Sequence, residues 1–428
     1  MLCKGIKSIL TSELFRNGAI FTIFSFINKG VNFALLLLLA RYISPAEYGY
    51  WSLFGTIVMF LGYFIAMTTE GFISVSYFQE GMVGVKKSFS CILLTTLIVA
   101  VVLFSITILS KNYLQQILQF PPQYLYLAIG IAFFTVYSNI CLDFLRIKKK
   151  IALYGVFSCS SAFLVFGLSI ILVKYFLMGW QGCVQAQFFS ILLFGTTGLC
   201  YFLFSKKFVT PNIKYWKMML CWGIPLIPHL ATNFMQQGCD RYIINYHYNV
   251  EQVGLFSFAY SLSAAIMMIG SGFNDANSIS IFEILGNNNL TTKEKIALLS
   301  KQKKTLFSVY LFCSVVFTVL CYTLVPVFLP QYTPAINYFV LLAIFAFLQC
   351  IYFLYTNYLF FFKRTKKLMY ITFSFAVIHL ILSLCLTRYS IYYTCLAYCA
   401  SQLGIVLFVR KTAILALEKN LNCRIRGF

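Results

Sequence analysis

A few charged and titratable side chains fall within or at the ends of long apolar runs, where they are costly to keep. Lys29 stands in the run 17–40, His229 in 218–239, and Asp275 in the polar stretch Asn274-Asp275-Ala276-Asn277-Ser278. Glu70 and Asp143 lie toward the ends of two further runs, and Arg41 and Arg241 close the runs that hold Lys29 and His229. A cation among apolar residues can hold a phosphate or carboxylate, and a carboxylate there can carry a proton or small cation. Each residue also has a plainer reading. Lys29 could pair with a helix carbonyl or snorkel, and His229 could pack as a neutral ring. Arg41 and Arg241 could anchor an interface, with Arg241 paired to Asp240. Asp275 could make a packing hydrogen bond, and Glu70 and Asp143 a structural ion pair or cap. Pro225 and Pro228 should kink their helix and provide a hinge. There is no P-loop, no Ser/His/Asp set and no metal-ligand spacing, so the chain is not expected to be an enzyme or to hold a metal. The 15 cysteines form no CxxC pair and are expected to be reduced, packed thiols.

The elements around these residues must be membrane helices. Of 428 residues, 61% are hydrophobic and 10% charged, with mean hydropathy +0.84; soluble domains carry about a quarter charged residues. Crossing a bilayer takes about twenty apolar residues in a helix. Runs such as 48–69, 88–110, 151–173, 252–274, 368–387 and 389–409 meet that length, and the stretch 305–362 should split in two at Pro326, Pro330 and Pro334. The count comes to about twelve transmembrane helices in an all-α integral membrane protein. With the N-terminus inside, 27 of the 33 basic residues fall on one side, and five (Arg41, Lys111, Lys174, Arg241 and Arg388) on the other. That asymmetry predicts both termini on the cytoplasmic side of a multi-pass protein. It also explains the net charge of +22 without a nucleic-acid partner.

The chain repeats itself. Tyr137-Ser138-Asn139, six residues, then Arg146-Ile147-Lys148-Lys149 recurs as Tyr355-Thr356-Asn357, six residues, then Arg364-Thr365-Lys366-Lys367. Arg41-Tyr42-Ile43 followed by Gly49-Tyr50-Trp51-Ser52 recurs as Arg241-Tyr242-Ile243 followed by Gly254-Leu255-Phe256-Ser257. Six helices per half give two bundles inserted the same way up, expected over 1–208 and 209–428, with a binding site between them. The offset of 200 that aligns the arginines also places Lys29 on His229. Each lies twelve residues, roughly 18 Å, inside its arginine, which predicts two donors facing one anionic group.

Asn28-Lys29-Gly30 leading to Arg41-Tyr42-Ile43-Ser44-Pro45-Ala46-Glu47-Tyr48-Gly49 resembles the first span and outer loop of the polysaccharide-export flippases. Gly223-Ile224-Pro225-Leu226-Ile227-Pro228-His229, Asp240-Arg241-Tyr242-Ile243-Ile244 and Val253-Gly254-Leu255-Phe256-Ser257 resemble the start of their second half. The branch it resembles is the Wzx-type, O-antigen one of the superfamily that also holds multidrug-extrusion (MATE-like) antiporters. The resemblance implies two six-helix bundles around a central cavity. It implies a flippase in the bacterial inner membrane that moves undecaprenyl-pyrophosphate-linked oligosaccharide to the periplasmic leaflet for lipopolysaccharide assembly. Its partners would be that lipid-linked substrate, the bilayer and the polysaccharide polymerase machinery. Lys29, His229, Arg41 and Arg241 are the expected cavity cations, and Asp275, Glu70 and Asp143 the candidates for coupling to a proton or sodium gradient. No other cofactor is implied. Two alternatives stand beside it: a multidrug antiporter of the same fold, and a polytopic glycan polymerase or acyltransferase. Short outer segments, roughly a dozen residues at most, argue against the enzyme.

Overall fold

The computed structural model describes residues 13–118, 121–204, 208–287 and 289–421. Among them there are helices and no strand. They run α1 Glu13–Tyr42, α2 Pro45–Ile65, α3 Phe72–Leu109, α4 Lys111–Leu118, α5 Pro122–Ile147, α6 Ile151–Ile170 and α7 Gly179–Phe204. The order continues with α8 Ile213–Gly223, α9 Ile227–Gln237, α10 Cys239–His247, α11 Val250–Gly286, α12 Thr292–Phe328, α13 Ala335–Phe361, α14 Thr365–Leu386 and α15 Ile391–Leu421. Among the described residues, ten helical segments are each long and apolar enough to cross a membrane: α2, α3, α5, α6 with its terminal π turn, α7 and α11 to α15. The expected first span is the 30-residue α1. The expected seventh is broken: a 3-10 turn at Ile224–Leu226 separates α8 from α9, 11 residues each.

Large apolar residues such as Val101, Val156, Phe312 and Val319 are exposed, as helices solvated by hydrocarbon require. Local chemistry sets many of the ends. Ser44 and Glu47 cap α2 reciprocally, Ser44 N–H donating to Glu47 Oε2 at 2.9 Å and Glu47 N–H to Ser44 Oγ at 3.3 Å. Asn212, Asn249 and Thr291 cap α8, α11 and α12. Pro326 lies inside the last turns of α12, and the expected break comes later, at the 3-10 turn Pro330–Tyr332. Pro326 gives up one intrahelical hydrogen bond, and the helix still runs two residues past it, to Phe328. α3 folds sharply at Gly81 (φ 63°, ψ −141°), a conformation open to glycine and strained for other residues.

The chain divides into two compact units, one of residues 1–43 and 50–234, the other of residues 44–49 and 235–428. In the first, a core of Ile65, Phe72, Phe89, Tyr137, Ile140, Phe144, Phe202 and Met219 joins the end of α2 to α3, α5, α7 and α8. Tyr215 Oη and Trp216 Nε1 donate to Ser76 (3.0 Å) and Thr95 (2.8 Å), fixing α8 on α3. In the second, α13 packs on α11 and α15, and Tyr260, Phe345 and Tyr398 stack in its interior. The start of α2 belongs to this unit. A Cβ on Gly254 would lie 1.7 Å from the Pro45 carbonyl oxygen, and one on Gly49 2.0 Å from the Val250 carbonyl oxygen. Each glycine therefore rests on the first-turn carbonyl of the other helix. These are the paired glycines of the sequence repeat.

Candidate functional site

In the first unit, two helix breaks meet. Between α2 and α3 the chain turns through Met67 (φ 48°) and Thr68 (φ 54°), left-handed conformations that a β-branched threonine rarely adopts. The turn is held from α8: Thr68 Oγ1 donates to the Gly223 carbonyl at 2.5 Å. A Cβ on Gly223 would lie 2.5 Å from the Met67 carbonyl oxygen. Only a glycine lets the end of α8 approach so closely. The 3-10 turn containing Pro225 follows at once. Pro225 and Pro228 are both exposed, at a real interruption of the helix.

Glu70 sits in this connection, outside the two flanking spans. Its carboxylate is hydrogen-bonded by Asn139 of α5, with Asp143 one turn further along. Burial pushes the Glu70 carboxyl up to about 7, and the Asp143 charge adds to that, while the Asn139 bond pulls the other way. Asp143 is itself paired with Arg146 at 3.3 Å. The expected candidates Glu70 and Asp143 are thus brought together. Their arrangement joins an acid able to hold a proton near neutrality to a helix break, a combination typical of transporter sites. In the second unit Asn357, the repeat equivalent of Asn139, donates to Asn274 Oδ1 on α11 at 2.8 Å.

The other expected residues lie on α1, α9, α10 and α11. Lys29 is exposed on α1; its neighbour Asn28 faces α6 and donates to Ser158 Oγ at 2.8 Å. Arg41 is exposed at the end of the same helix. Asp275 is exposed on α11, and His229 belongs to α9 with its side chain outside the described residues. Arg241 is half-buried: its Nε donates to Ser257 Oγ at 3.2 Å and its guanidinium lies 5.8 Å from the Tyr260 ring.

Sequence reasoning passed over a fully buried polar centre in the second unit. Asp240 at the start of α10, and His379 and Ser383 of α14, are fully buried. His379 Nε2 lies 2.8 Å from Asp240 Oδ2, and Ser383 Oγ donates to Asp240 Oδ1. Ser383 Oγ, its proton given to Asp240, accepts from Thr387 Oγ1 at 3.2 Å, and Thr387 accepts from Thr394 Oγ1 of α15 at 2.8 Å. The Tyr398 ring packs 4.4 Å from the imidazole. A carboxylate joined to an imidazole among apolar helices is the kind of pairing found in the Asp/Glu/His chains of pumps and transporters. The sequence carries a signal for it: His379, Ser383 and Thr387 recur every four residues, a polar stripe along an otherwise apolar span.

Residues 14–277 match the model of a family described as polysaccharide biosynthesis protein. Protein 1 of the Lsg locus of Haemophilus influenzae is 23% identical over 372 residues, which cover 83% of this chain and 86% of that one. The fold resembles an inward-facing multidrug resistance MATE transporter of the MOP superfamily, with TM-score 0.72, 15% identity and 92% and 96% of the two chains covered. An outward-facing structure of such a transporter matches at 0.63, with 14% identity and 97% and 98% covered. A MOP superfamily transporter from Pyrococcus furiosus, described as having a binding pocket of reversed polarity, matches at 0.61, with 14% identity and 95% and 96% covered.

Proposed function

The chain belongs to the polysaccharide biosynthesis protein family and has the fold of MATE-type membrane transporters, and on that premise we propose that it flips lipid-linked oligosaccharides. The cargo is an oligosaccharide repeat unit on undecaprenyl pyrophosphate, carried from the cytoplasmic to the periplasmic leaflet of the bacterial inner membrane. The single observation that carries this reading is a polysaccharide-biosynthesis family match over 14–277 on a chain folded as a transporter.

Physical need supports it. Each sugar hydroxyl moved unpaired into hydrocarbon costs several kcal/mol, and a diphosphate costs far more, so unaided exchange between leaflets is negligible. Cations suit such a cargo, and Lys29, His229, Arg41 and Arg241 are the residues proposed to meet the diphosphate or acidic sugars. A lysine within the first helix, Lys29, weighs against a multidrug antiporter, whose sequence cue would be acidic residues deep in the helices with few basic ones. Coupling to a proton or sodium gradient would fall to Glu70 with Asp143, to Asp275, or to the Asp240–His379 pair. Both termini face the cytoplasm in this reading, on the strength of the basic-residue asymmetry.

Deletion of the gene should leave lipid-linked repeat units in the inner leaflet and remove the mature surface polysaccharide. Complementation with Lys29→Ala should restore little, Lys29→Arg part, and Lys29→Glu none. Normal surface polymer in a deletion strain without a second flippase would overturn the proposal.

A further inference from the structure

The second unit contains a cavity of about 500 Å³ between α12, α13 and α15. Lys303 and Lys304 of α12 and Arg410 of α15 converge on one end of it. The Lys303 ammonium lies 6.0 Å from the ring of Tyr355 on α13, close enough to Arg410 and Lys304 to feel both charges. The polarity of the wall changes along all three helices in the same direction. On α12 the lysines give way within one turn to Phe307, and on α13 Tyr355 gives way to Ile351 and Leu348. On α15 Arg410 gives way to Leu407 and Leu403, a fall of seven residues or roughly 10 Å. The cavity therefore has a cationic mouth at the basic end of the helices and an apolar floor running toward the middle of the spans.

We propose that this cavity binds an anionic phospholipid of the leaflet on the basic side, its phosphate held by Lys303, Lys304 and Arg410 and one acyl chain laid along Phe307, Leu403 and Leu407. The gradient is what selects a lipid. A free phosphate would have no use for the apolar floor, and a zwitterionic headgroup would bring its own cation to three others. The Tyr355 hydroxyl and ring complete an interfacial seat, as aromatic residues do at headgroup depth. Basic pockets between membrane helices hold anionic headgroups in this way, each lysine or arginine strengthening binding about fivefold. The site lies within one unit and takes a resident lipid, so it is independent of the transported substrate.

The test uses the full-length protein purified in a neutral detergent, with melting temperature followed against added lipid. Phosphatidylglycerol should raise the melting temperature saturably, and phosphatidylcholine and inorganic phosphate should not. Lys303→Gln/Lys304→Gln/Arg410→Gln should weaken the apparent affinity about 100-fold. Lys366→Gln/Lys367→Gln, at the same end of α14 but outside the cavity, should leave it unchanged. Leu403→Trp, which fills the floor and keeps every charge, should also block the shift, and it serves if the triple variant does not fold. Equal stabilisation by phosphatidylcholine, or equal loss in the Lys366/Lys367 variant, would refute a defined anionic site. Tighter binding of undecaprenyl phosphate than of phosphatidylglycerol at the same residues would overturn the phospholipid assignment. No oligosaccharide enters the assay, so its result is separate from that of the export experiment.

Discussion

Gly254→Ala adds one methyl where the structure has no room for it. The new Cβ would lie 1.7 Å from the Pro45 carbonyl oxygen, 2.7 Å from its carbon and 3.0 Å from the Gly49 nitrogen. Close carbon–oxygen contacts settle near 3.3 Å, so the two backbones must part by roughly 1.5 Å. Neither can yield by changing a rotamer, because the obstructing atoms are main chain. The start of α2 is further pinned by the Ser44–Glu47 capping box, and by Tyr48, which is buried against Phe258 and Tyr332. Overpacking of this kind costs about 3 kcal/mol or more. Alanine recovers about 1 kcal/mol through helix propensity. The net loss should be about 2 kcal/mol, visible as a lower melting temperature of the purified protein and reduced export in cells. Gly62→Ala is the matched control, since a Cβ there, in the last turn of α2, meets nothing within 4 Å; it should be neutral or stabilising. If Gly254→Ala melts with Gly62→Ala, the close approach of α2 and α11 carries no energy and the reasoning fails.

Three other outcomes are expected. Asp240→Ala or His379→Ala leaves a buried polar partner uncompensated and should cost about 3–5 kcal/mol; a loss under about 1 kcal/mol in chemical unfolding would mean the pair is hydrated. Glu70→Gln tests the acid whose folded pKa of about 7 exceeds its ordinary value of 4.5. The stability held by neutral Glu70 is complete below its unfolded pKa and lost as pH rises through 7, so the variant should match the wild type near pH 4 and melt higher at pH 8. A gain confined to acid would have the wrong sign. Gly81→Ala meets no steric contact, so its expected cost of about 1–3 kcal/mol is purely backbone. Gly55→Ala, equally open and helical, isolates that term in parallel melts.

Much of the architecture is legible in the sequence because the bilayer leaves the chain so few options. Length and apolar content locate helices wherever hydrocarbon must be crossed, and the Tyr-x-Asn repeat marks equivalent places in the two halves. Asn139 and Asn357 then prove to play matching parts, each bonded to the helix or turn that holds the neighbouring acid or amide. The interruption after Ile65 was not legible. Ile65-Ala66-Met67-Thr68-Thr69 carries no proline, and the left-handed turn is imposed by packing against Gly223. The sequence offers Asp240 the adjacent Arg241 as a partner, and the fold brings it His379, 139 residues away. A pattern confined to one helix gives the stripe His379, Ser383, Thr387, and only the fold says that the stripe faces an aspartate.

The paired glycines bear on where such a chain comes from. Gly49 sits on the carbonyl of Val250 while Gly254 sits on the carbonyl of Pro45, so residue and partner exchange roles when the two segments are swapped. Reciprocity of that kind is the signature of an isologous contact, the kind two identical subunits make across a twofold axis. The pairing follows directly if the ancestor was a single six-helix chain that met a second copy of itself at this glycine, and if fusion of two genes later joined the copies. Selection on the fused chain then acts on the two positions together. A bulkier residue at either one closes the same gap, so neither half is free to diverge here while the rest of its sequence drifts.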